Sequence, residues 1–206
     1  MRSETLEFGK YLVGLRKSYT ADTAAELDLL ESFATGRRVV VEVGVYEGVA
    51  SRRMADSLTE AGKLLLVDPY FRETKLERML NISFKEIIAK RTVAGTPREY
   101  CFLRETSKEA ASKLASEIVA DFIFIDARHD YESVLEDFGL WSAKLGLGGV
   151  IAFHDSRACP ARPEISEDDG PVRLCREISA GIHGPWKMLR QVDSITAFER
   201  EPARSA

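Results

Sequence analysis

The chain has 206 residues and a formal net charge of -4; 45% of it is hydrophobic and 30% charged. That is the balance of a soluble globular protein long enough to bury a core without metal or disulfide staples. The acidic balance argues against a nucleic-acid footprint, no run approaches the ~20 apolar residues of a membrane span, and Cys101, Cys159 and Cys175 lack the CxxC spacing of a zinc ribbon.

From the N-terminus, residues 1–35 read as two helices, a helical cap on a single domain spanning 1–206. Met1 to Lys10 has no basic start followed by an apolar stretch, so no signal peptide is expected and the expected location is cytoplasmic. Leu6, Tyr11 and Leu15 give the first helix an apolar face that would either cover a cleft or build a homo-oligomer. In the second, Thr23 and Glu26 have capping-box spacing, and Leu27, Leu30 and Phe33 form an apolar stripe. Short apolar runs then alternate with amphipathic stretches. The runs are Arg38–Val43, Lys63–Val67, Glu99–Leu103, Asp121–Ile125 and Val150–Phe153, nearly continuous in Val, Ile, Leu and Phe, as parallel strands buried on both faces require.

Helical patterns run from about Val49 to Ala61, from about Lys75 to Lys90, and through Tyr131, Val134, Leu135, Phe138, Trp141 and Leu145, after which Gly146, Gly148 and Gly149 break the pattern. The basic residues Arg52, Arg53, Lys85, Lys90 and Arg91 have acidic neighbours and read as a solvated face. At the C-terminus, Trp186–Val192 and Ile195–Arg200 flank Asp193-Ser194 and read as an antiparallel hairpin. The expected fold is therefore α/β: a Rossmann-like, doubly wound, mostly parallel seven-stranded sheet with N-terminal helices and a C-terminal hairpin.

Ligands of such sheets bind at the carboxyl ends of the strands. The first strand ends in Glu42-Val43-Gly44-Val45-Tyr46-Glu47-Gly48. Gly44 and Gly48 suit a tight turn, but neither of the phosphate-loop patterns G-x-G-x-x-G and GxxxxGK[ST] is present. The second strand ends in Asp68, about twenty residues on, where an acid can accept both hydroxyl protons of a ribose. An acidic, glycine-bearing loop without a phosphate cradle suits S-adenosylmethionine (SAM), which carries a sulfonium and an ammonium but no phosphate.

At these residues the chain resembles the class I SAM-dependent methyltransferases. More narrowly it resembles the family 24 group, which includes macrolide-sugar O-methyltransferases and is distantly similar to the catechol O-methyltransferases. The resemblance spans about Thr20 to Arg200 and is most specific in Asp121–Glu132, Trp141 and Gly148–Asp155. It implies that Glu42, Gly44 and Gly48 line the methionine end of SAM, that Tyr46 and Asp126 also bind the cofactor, that Asp68 holds the ribose, and that Ser107 lies near the adenine. Ser107 could instead cap the helix beginning near Lys108.

Asp126 ends the fourth strand and His154-Asp155 end the fifth, so Asp126, His129, His154 and Asp155 can converge on one cleft. Methyl transfer to a hydroxyl needs an aligned oxygen and a way to lose its proton, through a divalent cation or a histidine base. By the resemblance, Asp126 and Asp155 match magnesium ligands, His129 matches a proposed base, and His154 stands where a carboxylate is usual. That departure leaves three outcomes: a softer metal on Asp126, His154 and Asp155, a weak magnesium site on the aspartates, or no metal. The proline-punctuated stretch 156–170 follows directly and reads as a lid or a plain flexible loop. The expected function is O-methylation of a small polar acceptor, a sugar or hydroxylated natural product. N- or C-methylation, a nicotinamide-dependent oxidoreductase and a non-catalytic module are the alternatives; no nucleic-acid or membrane partner is expected.

Overall fold

The computed structural model describes residues 4–114 and 118–202, so the first three residues of the expected 1–35 cap lie outside it. The apolar runs form β1 (Val39–Val43), β2 (Lys63–Val67), β3 (Glu99–Leu103), β4 (Ala120–Ile125) and β5 (Leu145–Phe153), and the C-terminal runs form β6 (Trp186–Val192) and β7 (Ile195–Arg200). They make one seven-stranded sheet in the order β3-β2-β1-β4-β5-β7-β6. Strands β1 to β5 pair in parallel, whereas β7 runs antiparallel to both β5 and β6. This is the expected Rossmann-like sheet with its reversed hairpin.

The helices are α1 (Glu4–Leu12), α2 (Ala24–Ala34), α3 (Val49–Ser57), α4 (Lys75–Leu80), α5 (Phe84–Val93), α6 (Ser107–Lys113), α7 (Tyr131–Ser142) and α8 (Gly170–Ser179). Both sheet faces are covered, which is why the strands read as unbroken apolar runs. On one face Leu30, Met54 and Ala89 pack on Leu64, Leu66 and Phe122. On the other, Phe138, Trp141 and Leu174 pack on Ile123, Ile151 and Phe153. Each such large side chain contributes about 1.5–3 kcal/mol by leaving water.

Three boundaries differ from the sequence reading. The helix expected over 75–90 is two helices: Asn81 takes φ 57 at the end of α4, and the Ser83 hydroxyl accepts from the Glu86 amide to start α5. The helix expected from Val49 to Ala61 stops at Ser57. The glycines expected to separate the α7 helix from the last parallel strand instead lie inside β5. Its pairing with β4 shifts register there, from Ala120↔Leu145 to Phe122↔Val150, and the shift accommodates Gly148 at φ 71.

Candidate active site

The strand order reverses between β1 and β4, and a cavity of about 550 Å³ opens at their carboxyl ends. That is the position where such sheets take ligands. Its wall includes Gly44 and Tyr46 after β1, Asp68 after β2, Thr106 and Ser107 at the start of α6, and Asp126 after β4. Gly44 sits at φ 91, and a Cβ there would lie 1.9 Å from the Asp126 carbonyl oxygen, so only glycine lets the two strand ends close together.

Asp68 is the hub of this loop. Its Oδ2 accepts from the Val45 and Tyr46 amides at 3.0 and 3.2 Å, and its Oδ1 accepts from the Tyr70 amide at 2.7 Å. A carboxylate has about four lone-pair sites, so acceptor capacity remains. Behind the loop, Glu47 is 4% exposed and takes a forked pair of bonds from Arg16 at 2.7 and 2.8 Å, with a third from the Tyr19 amide at 2.7 Å. The segment after α1 thereby clamps the loop from outside.

Two residues that the resemblance gave to the methionine end do not line the cavity. Glu42 is 1% exposed and accepts a short bond from the Ser51 hydroxyl of α3, and burial raises its pKa well above the ordinary carboxylate value. It shares the α3 face of β1 with Val40 and is not on the cavity wall. Gly48 starts α3 at φ 77, with its Cα face 3.2 Å from the Ala89 backbone of α5 where a Cβ would stand, and it too is off the wall. Ser107 does line the cavity; Thr106 performs the capping that Ser107 was the alternative for. Lys85, read as part of a solvated face, also lines the cavity, with its ammonium 2.7 Å from Glu73 and 5.3 Å from the centre of the Tyr46 ring.

At the other end of the cavity Asp126, His129, His154 and Asp155 come together as expected. Asp130 caps α7 by accepting from the Ser133 amide, which leaves the half-exposed His129 imidazole free. Its Nε2 lies 3.4 Å from Asp155 Oδ2 and 3.8 Å from Asp126 Oδ1. Asp126, then Asp155, hold the His129 pKa above its ordinary value against the effect of burial. Burial would raise the Asp126 pKa, but His129 and His154 hold it well below the usual carboxylate range.

His154 is 2% exposed. Its Nδ1 is 3.3 Å from both Asp126 Oδ1 and Asp155 Oδ1, and its Nε2 is 3.2 Å from Asp22 Oδ1 and 3.7 Å from Glu26 Oε2. Burial disfavours a charged ring, yet the surrounding carboxylates, Asp126 foremost, raise its pKa far above the ordinary value. These contacts are electrostatic: both ring nitrogens, Asp22 Oδ1 and Asp155 Oδ1 are buried without a directed hydrogen bond. Asp22 and Glu26 arrive from the N-terminal segment. The capping box at Thr23 and Glu26 was legible in sequence, but nothing in the spacing marked either acid as a neighbour of His154.

The 156–170 segment folds back over this end. Arg162 donates to Asp155 Oδ2 at 2.8 Å, and the Gly170 amide donates to the His129 carbonyl at 3.0 Å. A Cβ on Gly170 would come within 2.6 Å of that same carbonyl, so α8 begins in direct contact with the His129 turn. On the N-terminal side, α1 stacks Phe8 on Phe84 of α5 at 4.1 Å between ring centres; Leu6 of α1 is exposed, and so is Leu15, which lies beyond the helix rather than on it. Among the described residues no helix is long and apolar enough to cross a membrane.

Comparison with known proteins places these features among relatives. A family model described as a methyltransferase domain matches residues 41–156. An uncharacterised protein of Acanthamoeba polyphaga mimivirus is 24% identical over 162 residues, covering 78% of this chain and 69% of that protein. Among solved structures, an O-methyltransferase from Bacillus cereus in complex with S-adenosylhomocysteine (SAH) superposes with a TM-score of 0.60 at 17% identity, covering 97% of this chain and 92% of that one. The O-methyltransferase TomG from Streptomyces achromogenes, involved in tomaymycin synthesis and solved with SAM, gives a TM-score of 0.63 at 15% identity, with 98% and 92% covered.

Proposed function

The chain belongs to this methyltransferase family and has the class I, SAM-dependent methyltransferase fold, and from that premise we propose that it methylates a hydroxyl oxygen of a small polar molecule, a sugar or hydroxylated natural product. The observation that carries the reading is Asp126 on the wall of a cavity that Asp68 also lines, with His129 and Asp155 gathered beside Asp126. The Bacillus cereus and Streptomyces achromogenes structures with the same fold hold SAH and SAM, which supports assigning the cavity to that cofactor. Its volume lies in the range of about 300–1,000 Å³ usual for small-molecule sites. Its wall is rich in carboxylates and suits a cation.

SAM supplies an electrophilic methyl group, which passes to the acceptor oxygen as the carbon–sulfur bond breaks and leaves neutral SAH. The protein's part is to hold and to deprotonate. Asp68 accepts the ribose hydroxyl protons while it keeps the Gly44 loop in place. His129 Nε2 takes the proton that the acceptor oxygen loses, and Asp126 and Asp155 stabilise the resulting imidazolium. Arg162 and the 156–170 segment close that end against water, in the manner of a lid.

A divalent cation also fits. Asp155 Oδ1 and His154 Nδ1 are buried without hydrogen-bond partners, and Asp126 Oδ1 stands 3.3 Å from that nitrogen. Among the described residues, the ligand atoms that lie close enough together to hold it belong to Asp22, Asp126 and His154, or to Asp126, His129 and Asp155, rather than to the expected trio of Asp126, His154 and Asp155; held there, it would lower the pKa of an acceptor hydroxyl. An imidazole among the donors suits manganese, iron or zinc better than magnesium. The same nitrogen takes a proton when no cation is there.

The test is a calorimetric titration of SAM, and separately of NAD, into metal-stripped protein. Methyl-transfer assays on sugars, phenols and amines follow, with and without magnesium or manganese. SAM is expected to bind in the micromolar range and Asp68→Ala to weaken it about 30–100-fold, the equivalent of one or two hydrogen bonds to a charged group. Thermal melting of the variant checks that its loop survives. NAD binding in place of SAM would overturn the cofactor assignment, and turnover on amines alone would overturn the oxygen acceptor.

A further inference from the structure

The His129 ring is not fixed by its own contacts. Its distances of 3.4 Å to Asp155 and 3.8 Å to Asp126 exceed the roughly 2.7–3.2 Å of a well-formed hydrogen bond. The residue is also exposed, so the ring is placed by the turn that leads from β4 through His129 and Asp130 into Tyr131 at the start of α7.

Helix α8 bears on that turn at two points. At its start, the Gly170 amide donates to the His129 carbonyl at 3.0 Å, and a Cβ on Gly170 would lie 2.7 Å from both the Asp130 carbonyl carbon and the Tyr131 nitrogen. Only glycine lets the two backbones lie this close. About two helical turns on, Glu177 Oε2 accepts from the Tyr131 hydroxyl at 2.5 Å and from His183 Nε2 at 2.9 Å, and its Oε1 accepts from Arg173 Nε at 3.0 Å. The Arg173 guanidinium lies 3.6 Å over the Tyr131 ring and holds it from the other side. Tyr131 and His183 foremost keep the Glu177 pKa at about 2, so the group is a carboxylate and accepts only. Val134 and Phe138 of α7 share one buried core with Leu174 and Ile178 of α8, which keeps the helices from sliding past each other. Neither Gly170, Tyr131 nor Glu177 lines the cofactor cavity.

We infer that α8, through Gly170 on the turn and through Glu177 on Tyr131, positions the His129 ring beside Asp126 and Asp155. The inference rests on the reading of His129 as the base for its effect on turnover, whereas the placement itself is a property of the fold. Gly170, Tyr131 and Glu177 are positioning residues: each acts through the ring and touches no reacting atom.

The chain has three histidines, so carbon-13 labelling of their rings gives three imidazole signals, and His129→Ala identifies its own by the loss. Spectra are recorded at one pH without SAM or acceptor. Tyr131→Phe and Gly170→Ala should shift and broaden the His129 signal, while the His154 signal, held by Asp22 and Glu26 from another segment, keeps its place. Glu177→Gln, whose amide oxygen still accepts from the Tyr131 hydroxyl, should leave the His129 signal near its wild-type position; Glu177→Ala should not. In turnover of the sugars and phenols above, Tyr131→Phe should lower kcat about 5–10-fold, the equivalent of one hydrogen bond. Gly170→Ala should lower it about 100-fold, the cost of a displacement of about 1 Å. Both should leave the KM for SAM unchanged, and neither should slow His129→Ala further, since no ring is left to place. A His129 signal unmoved in both variants overturns the inference, as does a loss of kcat that persists in full on the His129→Ala background. Signals that move with kcat unchanged uphold the placement and overturn the base reading instead. Tyr131→Phe carries the test if Gly170→Ala does not fold.

Discussion

Replacing Glu26 with alanine should destabilise the fold by about 3–5 kcal/mol, the cost of leaving a buried charge without its partner. For a chain of this length that is a drop in Tm on the order of 10 °C. The residue is fully buried and joins three parts of the molecule. Its Oε2 accepts from the Thr23 amide at 2.7 Å to complete the α2 capping box, and its Oε1 accepts from the Ser194 amide and hydroxyl at 2.7 and 2.6 Å. It also faces His154. Alanine would orphan two backbone amides and a hydroxyl at once, and would remove one of the carboxylates around a buried imidazolium.

The pH dependence gives the sign. Burial pushes the Glu26 carboxyl up, but His154, Ser194 and Thr23 outweigh it and hold the group at about 2, below the ordinary 4.5. A depressed pKa means that the stabilisation is full above 4.5 and is lost as the pH falls toward 2. Chemical denaturation of wild type and Glu26→Ala should therefore give curves that differ most at neutral pH, draw together below about 4.5 and converge only as the pH reaches about 2. A gap of constant size down to that pH would mean that the ionised carboxylate is not its source.

The two-sided burial of β1 to β5 was legible because unbroken Val, Leu, Ile and Phe runs have few other uses in a chain this polar. The same logic placed Asp126, His154 and Asp155 together: residues that end neighbouring parallel strands must emerge at one edge. What the sequence hid was anything set by packing between distant segments. Asp22 and Glu26 reach His154 from more than a hundred residues away. Glu177 sits in a helix whose charged positions look alike until Tyr131 comes to lie beside it. Lys85 has the same charge as its solvated neighbours, and only the position of α5 brings it to the cavity. Glu42 is off the cavity wall for a local reason: alternation along β1 turns it toward Ser51 of α3, whereas Val43, on the opposite face, reaches the wall. The break between α4 and α5 lay in one residue, Asn81, whose left-handed backbone interrupts an apolar pattern that otherwise continues.

His129→Ala should lower kcat for methyl transfer by about 10²–10⁴-fold, the usual contribution of a positioned acid or base, while SAM affinity stays within about three-fold of wild type. The separation follows from position: His129 faces Asp126 and Asp155, and is not among the residues lining the cofactor cavity. A base must be neutral to accept a proton, and Asp126 and Asp155 keep this imidazole charged to higher pH than usual. The wild-type kcat should accordingly climb with pH through a value above the ordinary imidazole range, and that rise should vanish in His129→Ala. Asp126→Asn provides the cross-check. With the carboxylate gone the His129 pKa falls, so the rise should move to lower pH even as the maximal rate drops. A pH profile left in place by both substitutions would assign the proton to another acceptor and leave His129 as a neighbour of Asp126 and Asp155 without a part in the proton transfer. A rate restored to His129→Ala by added imidazole would bind the role to the ring itself, because a free base can replace a missing proton acceptor but cannot replace packing.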